Sequence, residues 1–113
     1  MTPDDDDVSA LMQALADPTR RRVVELLSSA PRRAGELAGD IGVAPPAMSK
    51  HLRVLLGAGI VTDERPVEDA RVRIFRLRTE PVVALRAWLD QLQAHWDEQL
   101  GSFKAHVERG VRQ

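Results

Sequence analysis

The stretch Ala44–Gly59, APPAMSKHLRVLLGAG, carries the signals of a short helix at both of its ends. The two prolines near its start suit a first helical turn, because the N–H that proline lacks would have no partner there. The two glycines near its end suit a helix C-terminus, because glycine readily adopts left-handed backbone angles. The stretch therefore predicts one helix over residues 45–58.

The two faces of this predicted helix differ in their chemistry. Met48, Leu52 and Leu55 recur at helical spacing and give an apolar stripe. The opposite face is small, polar and cationic, which fits the major groove of DNA. We therefore interpret the helix as a recognition helix. Its predicted DNA-contacting residues, from those nearest the bases to those nearer the backbone, are Pro46, Ala47, Ser49, Lys50, His51 and Arg53.

The composition of the chain excludes several classes of protein. With 113 residues it is expected to form one domain. It has no cysteine, which excludes disulfides, thiolate metal ligands and cysteine nucleophiles. Its few aromatic residues disfavour a reader of single-stranded nucleic acid. The sequence has no glycine-rich phosphate loop and no recognisable catalytic motif, so an enzyme is not expected.

The start of the chain and its hydropathy predict where the protein resides. The sequence has no apolar run of about 18 residues, the length that a membrane span requires. Its first residues, MTPDDDDV, are acidic, unlike a signal peptide, so we expect a cytoplasmic protein. Residues 1–7 are predicted to be a disordered acidic tail, because consecutive like charges repel and bury nothing. Residues 8–113 are predicted to form the single domain.

Charge is distributed unevenly along the chain. The net charge is −1, which by itself disfavours DNA binding. Residues 32–78 carry nine Lys and Arg against six acids, whereas residues 1–31 carry three against six and residues 79–113 carry four against five. The middle of the chain is therefore basic between two acidic flanks. This pattern predicts a DNA-facing surface on an otherwise acidic protein.

Three helices are predicted before the recognition helix. We expect the first over Val8–Ala16 and the second over Pro18–Ser29, with Asp17 as the N-cap of the second. The third, Ala34–Ile41, is followed by the tight turn Gly42-Val43-Ala44. Two helices joined by a short turn that contains glycine are typical of a helix-turn-helix motif.

The basic run Arg20, Arg21 and Arg22 lies in the first two turns of the second helix. Positive charge at a helix N-terminus opposes the helix dipole, so the placement needs another reason. Pairing with the Asp run or contact with the DNA backbone would supply one. A solvated face is the simpler explanation, and we prefer it.

After the recognition helix the sequence changes to the pattern of strands. Ile60-Val61-Thr62 is rich in β-branched residues and predicts a first strand. A second strand is predicted within residues 71–78, RVRIFRLR, where apolar and arginine side chains are interleaved. A charged turn connects the two, so they predict a β-hairpin wing over residues 62–73. Arg71 and Arg73 are predicted to contact DNA phosphates there, although acids in the same loop dilute the positive charge.

The remainder of the chain predicts one long helix over about residues 81–109, with Gly110 just past its end. Its apolar residues recur in steps of three and four and form a continuous stripe. A small domain covers such a stripe poorly, so we expect a two-fold dimer; the alternative is that the helix packs wholly on its own domain. The predicted interface residues of this helix are Leu85, Trp88, Leu89, Leu92, Trp96, Leu100 and Phe103.

Together these elements predict a mainly α fold with a small β-hairpin wing, in the order α-α-α-α-β-β-α. The segments ALADPTRRRVVELL (residues 14–27), GELAGDIGVAPPAMSKHLRVLLGAGIV (residues 35–61) and RIFRL (residues 73–77) resemble the ArsR/SmtB family of bacterial winged helix-turn-helix regulators. The resemblance implies a homodimeric repressor that binds an imperfect palindrome. It also implies a dimer interface from the first and last helices, which adds Leu11 to the predicted interface.

Metal sensing is the property of this family that the sequence fits poorly. Metal-sensing members use cysteines near the recognition helix, or the pattern D-x-H and H-x-x-E on the last helix. His95 and His106 have ten residues between them as that pattern requires, but Gln93 and Arg109 stand in place of its carboxylates. Because Zn²⁺ prefers a complete tetrahedral ligand set, these histidines are weak candidates, and we expect no metal or other cofactor.

The sequence therefore predicts a DNA-binding transcriptional regulator whose partners are double-stranded DNA and a second copy of itself. The effector, if there is one, is not specified by the sequence. The alternative is a winged-helix adaptor that binds protein instead of DNA, which the mild acidity of the chain favours.

Overall fold

The computed structural model describes residues 5–111. Within them the chain forms five helices and three short strands. In chain order these elements are α1 (Asp5–Leu15), α2 (Pro18–Ser29), β1 (Arg32–Arg33), α3 (Ala34–Ile41), α4 (Pro45–Gly57), β2 (Val61–Glu64), β3 (Ile74–Leu77) and α5 (Thr79–Val111).

The first helix starts earlier than the sequence analysis predicts. We expect a disordered tail up to residue 7, but α1 begins at Asp5, so that expectation is wrong for its last three residues. The reason is that carboxylates are favourable in the first turn of a helix, where they face the positive end of the dipole. Residues 1–4 of the predicted tail lie outside the described residues.

Asp17 begins the second helix as its sequence position predicts. Its Oδ1 accepts hydrogen bonds from the backbone N–H of Thr19 at 2.8 Å and of Arg20 at 3.2 Å. The N–H of Arg20, followed by that of Thr19 and the charges of His51 and Arg20, holds the pKa of this carboxyl below its ordinary 3.8 against a smaller effect of desolvation. The ionised form of Asp17 therefore stabilises the fold.

The sheet has three antiparallel strands in the order β1-β3-β2. β2 and β3 form the predicted hairpin, with Val61 opposite Leu77 and Glu64 opposite Ile74. β1 is absent from the predicted element order, because a strand of two residues is too short to show an alternating pattern. It exists because Arg32 and the residue after it pair with the free edge of β3.

The core lies where α2, α3, α4 and the sheet meet. Phe75 of β3 is buried in it with Leu37 of α3, Val23 of α2 and the apolar stripe of α4. Leu11 of α1 belongs to the same cluster and is only 4% exposed. Its prediction as a dimer-interface residue is therefore wrong, because a side chain already packed inside one chain is not available to a second.

The last helix is a single long helix, as predicted, but it runs Thr79–Val111, so Gly110 lies inside it and not past its end. Its first turns pack on α1, and Leu85 reaches the core. Trp88 is half-buried, and every residue from Leu89 to Gly110 is exposed. The helix therefore projects from the domain, which explains the elongated shape of 75 × 31 × 23 Å. None of the helices within residues 5–111 has the length and apolar character to cross a membrane.

A matched pair of valines tests the assignment of the core. Val23 is 0% exposed in α2, whereas Val67 in the wing loop is 100% exposed. We expect Val23→Ala to lower the free energy of unfolding by about 1.5–3 kcal/mol, because it removes buried methyl groups and leaves a cavity. Val67→Ala should change it by less than about 0.5 kcal/mol. Urea denaturation measures both, and equal effects of the two variants would contradict this core.

The low pKa of Asp17 predicts how the stability of the chain depends on pH. Because the folded pKa lies below 3.8, the stabilisation is complete above that pH and is lost as the pH falls through the folded value. We expect Asp17→Ala to lower the urea midpoint at neutral pH and to approach the wild type as the pH falls through the lowered pKa of Asp17. Asp17→Asn is the control, because asparagine caps a helix without titrating. A difference between wild type and Asp17→Ala that stays constant with pH would refute the role of the carboxylate.

Candidate nucleic-acid interface

The turn between α3 and α4 fixes where the candidate recognition helix begins. Gly42 ends α3 in the left-handed region at φ 80°, where its N–H donates to the carbonyl of Ala38 at 2.9 Å. Ala44 then provides an extended N-cap without a side-chain hydrogen bond, and α4 starts at the two prolines. The geometry of the prolines, with φ preset near the helical value, thus replaces the usual polar cap.

The two faces of α4 lie as the sequence predicts. Met48, Leu52 and Leu55 are at most 2% exposed and hold the helix to the core. Ala47 is half-buried at the edge of the front face. The predicted DNA-contacting residues of α4 that are exposed are Pro46, Ser49, Lys50 and Arg53.

His51 occupies a different place from the one that we predict for it. Its side chain is 21% exposed and turns from the front of α4 toward the start of α2. Its Nδ1 lies 3.4 Å from Nη1 of Arg20 and 4.0 Å from Oδ1 of Asp17. The helical period of α4 places His51 beside its front face, but only the packing of α2 shows that this side is occupied.

The basic run of α2 has a structural reason that the sequence analysis missed. Arg20 and Arg21 donate to carbonyls at the C-terminal end of α1, with distances of 2.6 Å from Nε of Arg20 to Ala14 and 2.8 Å from Nη1 of Arg21 to Leu15. The negative end of the α1 dipole thus compensates for the positive end of α2. The preferred solvated face fits Arg21 and Arg22, which are exposed, but not Arg20, which is half-buried. The sequence contains one signal of these contacts, namely positive side chains at the N-terminus of α2, where they oppose the helix dipole.

Arginines of the wing lie beside acids of the same wing. Arg73 contacts Oδ2 of Asp63 at 2.7 Å through Nη2, and its guanidinium carbon lies 5.0 Å from the centre of the Phe75 ring. Arg71 is 92% exposed and donates from Nε to Oδ1 of Asp69 at 3.2 Å. The side chain and backbone N–H of Arg71 hold the pKa of Asp69 below its ordinary 3.8. Arg71 and Arg73 are therefore both paired with acids of the wing.

A groove of about 300 Å³ separates α4 from the wing. Ser49 and Arg53 line it from α4, and Arg73 lines it from the wing. One hydroxyl and two guanidinium groups that face one groove are donors suited to a phosphate group. The structure thus brings together three of the predicted DNA-contacting residues from two elements, with apolar walls from Ala34, Leu52, Leu56 and Phe75.

The two histidines of α5 do not gather other ligands around them. His95 and His106 are exposed on the projecting part of the helix. Within the part of the chain that the structure describes, no group of three or more His, Asp and Glu side chains is placed to hold a metal ion.

Comparison of the chain with known proteins identifies its family. The model described as "Bacterial regulatory protein, arsR family" matches residues 17–63. A helix-turn-helix-type transcriptional regulator of Mycobacterium tuberculosis is 48% identical over 79 residues, which are 70% of this chain and 71% of that protein. The transcriptional repressor SdpR of Bacillus subtilis is 34% identical over 55 residues, 49% of this chain and 61% of that protein.

Solved structures agree in fold. The crystal structure of an ArsR family transcriptional regulator has 35% identity and a TM-score of 0.75, over 86% of this chain and 97% of that one. The solution structure of a homodimeric winged helix-turn-helix DNA-binding domain from Mycobacterium bovis has 25% identity and a TM-score of 0.62, over 84% of this chain and 82% of that one. These matches confirm the predicted winged helix-turn-helix fold, and the chain belongs to the ArsR family of bacterial transcriptional regulators.

Proposed function

We propose that the protein is a homodimeric repressor that binds a palindromic operator through α4 and the wing. The observation that carries this proposal is the division of α4 into a buried apolar back and an exposed front with Ser49, Lys50 and Arg53. Membership of a family of transcriptional regulators supports it. Such a protein acts in the cytoplasm, where a bacterial chromosome lies.

The N-terminal turn of α4 reads the bases in this proposal. Pro46 and Ala47 lie at its start, where the small Ala47 side chain fits against a thymine methyl group. Ser49 donates to a base edge or a phosphate, and Lys50 contacts guanine or a phosphate. Arg53 lies one turn further on and contacts the backbone. His51 has no direct role in this arrangement, because it faces α2.

The arginines of the wing contact DNA phosphates by leaving the acids that they pair with in the free protein. Arg71 and Arg73 are held by Asp69 and Asp63 in the free protein. Exposed ion pairs of this kind contribute little to stability, about 0–1 kcal/mol, so replacement of the acid by a DNA phosphate costs little. The greater exposure of Arg71 makes it the wing residue that reaches phosphate first.

The exposed stripe of α5 forms the dimer interface. Apolar side chains on this length of helix remain largely open to water in a single chain, and Trp96 is 57% and Phe103 67% exposed. Large side chains of this kind stabilise an assembly by about 1.5–3 kcal/mol each when they are fully buried. The proposed interface comprises Leu85, Trp88, Leu89, Leu92, Trp96, Leu100 and Phe103 and, from the described structure, also Val107.

A two-fold dimer explains how the protein reads a palindrome. Two recognition helices related by the dimer axis enter successive major grooves on one side of DNA, about 34 Å apart. A dimer bound across a promoter excludes RNA polymerase, which is sufficient for repression. The name of the Bacillus subtilis relative, a transcriptional repressor, supports this direction of regulation.

The alternative function is that of an adaptor that binds another protein through the same fold. The acidic flanks of the chain favour it, since the net charge is −1. The two functions differ in salt dependence, because DNA binding releases counterions and weakens steeply as salt rises. An apolar protein interface lacks this dependence.

Recovery of bound fragments from the genome that encodes the protein tests DNA binding directly. We expect a palindrome to be enriched, and Lys50→Ala to weaken binding to it about tenfold and to lower the slope of log affinity against log salt by about one unit. Arg71→Ala should act in the same direction. Lys104→Ala is the matched control, because Lys104 is exposed on α5, away from α4 and the wing. Equal effects of Lys50→Ala and Lys104→Ala would refute this DNA interface.

Substitution of the α5 stripe tests the dimer. Leu100→Glu places a charge in the stripe, and we expect it to shift the protein from dimer to monomer in sedimentation velocity, because an unpaired charge is costly to bury. Ala94→Glu introduces the same charge on the opposite face of α5 and should leave the dimer intact. A dimer that persists in Leu100→Glu would place the interface elsewhere.

A further inference from the structure

We infer that Arg20 is a positioning residue of the DNA interface, which ties the C-terminal end of α1 to the recognition helix α4 through His51. The inference rests on the proposed function, because it takes α4 as the helix that reads DNA. Three donors of one guanidinium carry it. Nε donates to the carbonyl of Ala14 at 2.6 Å, Nη2 donates to that of Gln13 at 3.2 Å, and Nη1 lies 3.4 Å from Nδ1 of His51.

The rigidity of the guanidinium makes this contact directional. The group is planar, so two bonds to α1 fix the direction in which its remaining nitrogen points. That nitrogen points at α4. Arg20 also lines a groove of about 420 Å³ whose walls are α1 residues, including Gln13 and Ala14, and α4 residues, including Val54 and Gly57. Arg20 thus bridges α1 and α4 where their side chains leave a gap.

The same contact sets the tautomer of His51. An arginine side chain has only donors, so when the imidazole of His51 is neutral this contact favours Nδ1 as the acceptor and places the proton on Nε2. Asp17 does not compete for this nitrogen, since its Oδ1 is 4.0 Å away and already accepts two backbone N–H groups. Arg20 therefore determines both the direction and the hydrogen-bonding character of His51.

The consequence for DNA binding follows from the position of His51 in α4. It lies between Lys50, on the exposed front, and Leu52, in the core. A link at this point limits rotation of α4 about its axis and so fixes where Ser49 and Lys50 point. α1 in turn packs on α5, the helix of the proposed dimer interface. Arg20 thereby sets the recognition helix relative to the dimer without contacting DNA itself.

Arg21 provides a matched control for this role. It is the neighbouring residue, and its Nη1 likewise donates to C-terminal carbonyls of α1, those of Leu15 at 2.8 Å and Ala16 at 3.1 Å. Within the described residues the hydrogen bonds of its side chain all stay at this end of α1. A residue that merely caps α1 is thus compared with one that caps α1 and reaches α4.

The first experiment compares Arg20→Lys with Arg21→Lys on a duplex recovered in the fragment selection. Lysine keeps the charge of arginine but not its planar set of donors. We expect Arg20→Lys to bind about tenfold more weakly with an unchanged salt slope, and Arg21→Lys to bind within about twofold of the wild type. In combination with His51→Ala, Arg20→Lys should add no further loss, because the two residues act as one unit.

The second experiment observes the imidazole directly. We expect the ¹⁵N chemical shifts of His51 in mildly alkaline solution to show the Nε2–H tautomer in the wild type and in Arg21→Lys. In Arg20→Lys they should show a changed tautomer ratio. A residue with only a structural role in α1 would leave this spectrum unchanged.

Each outcome decides the inference. Wild-type affinity of Arg20→Lys overturns it. A salt slope lowered by about one unit in Arg20→Ala, which removes the charge, also overturns it, because Arg20 would then contact a phosphate. If the wild-type protein binds no duplex, the proposed function fails, and the tautomer comparison alone decides whether Arg20 holds His51. Unchanged His51 shifts in Arg20→Lys overturn the inference in that case as well.

Discussion

Burial of one face of α4 is the constraint on which the rest of the structure depends. Met48, Leu52 and Leu55 are almost wholly removed from water, and each such side chain contributes about 1.5–3 kcal/mol when buried. Because all three lie on one side, the helix cannot turn far about its axis without exposing them. Its front must therefore face outward, and Phe75 of β3 closes the core beneath it. The exposed front of α4 is thus a consequence of packing.

Compensated charge explains how a chain of net charge −1 presents cations to a polyanion. On the wing, Asp63 and Asp69 neutralise arginines that remain near the surface. On α4 the arrangement differs, because among the described residues no ion pair involves Lys50 or Arg53. The front of α4 therefore exposes cations that pair with no acid in the described part of the chain, whereas Arg71 and Arg73 of the wing are paired with acids. Local placement of charge outweighs the net charge in this chain.

The elements that the sequence predicts well are those with a local physical signal. Asp17 and Pro18 start α2 and Gly42 ends α3, because capping acts within a few residues of the chain. The apolar stripes of α4 and α5 are likewise periodic in the sequence. β1 was missed because its two residues form a strand only through pairing with β3. The predicted start of α1 is three residues too late, because a run of acidic residues indicates a disordered tail. Negative charge at a helix N-terminus is nevertheless favourable, and α1 begins at Asp5.

The sequence by itself determined the helix-turn-helix, the wing and the long apolar helix, since periodicity and caps depend only on neighbouring residues. Only the tertiary structure decided which side chains on a given face are free. Leu11 is taken into the core, His51 is turned toward α2, and Arg20 is held by carbonyls of α1 and reaches α4. These contacts join residues far apart in the chain, and helical period specifies the direction of a side chain but not what lies opposite it.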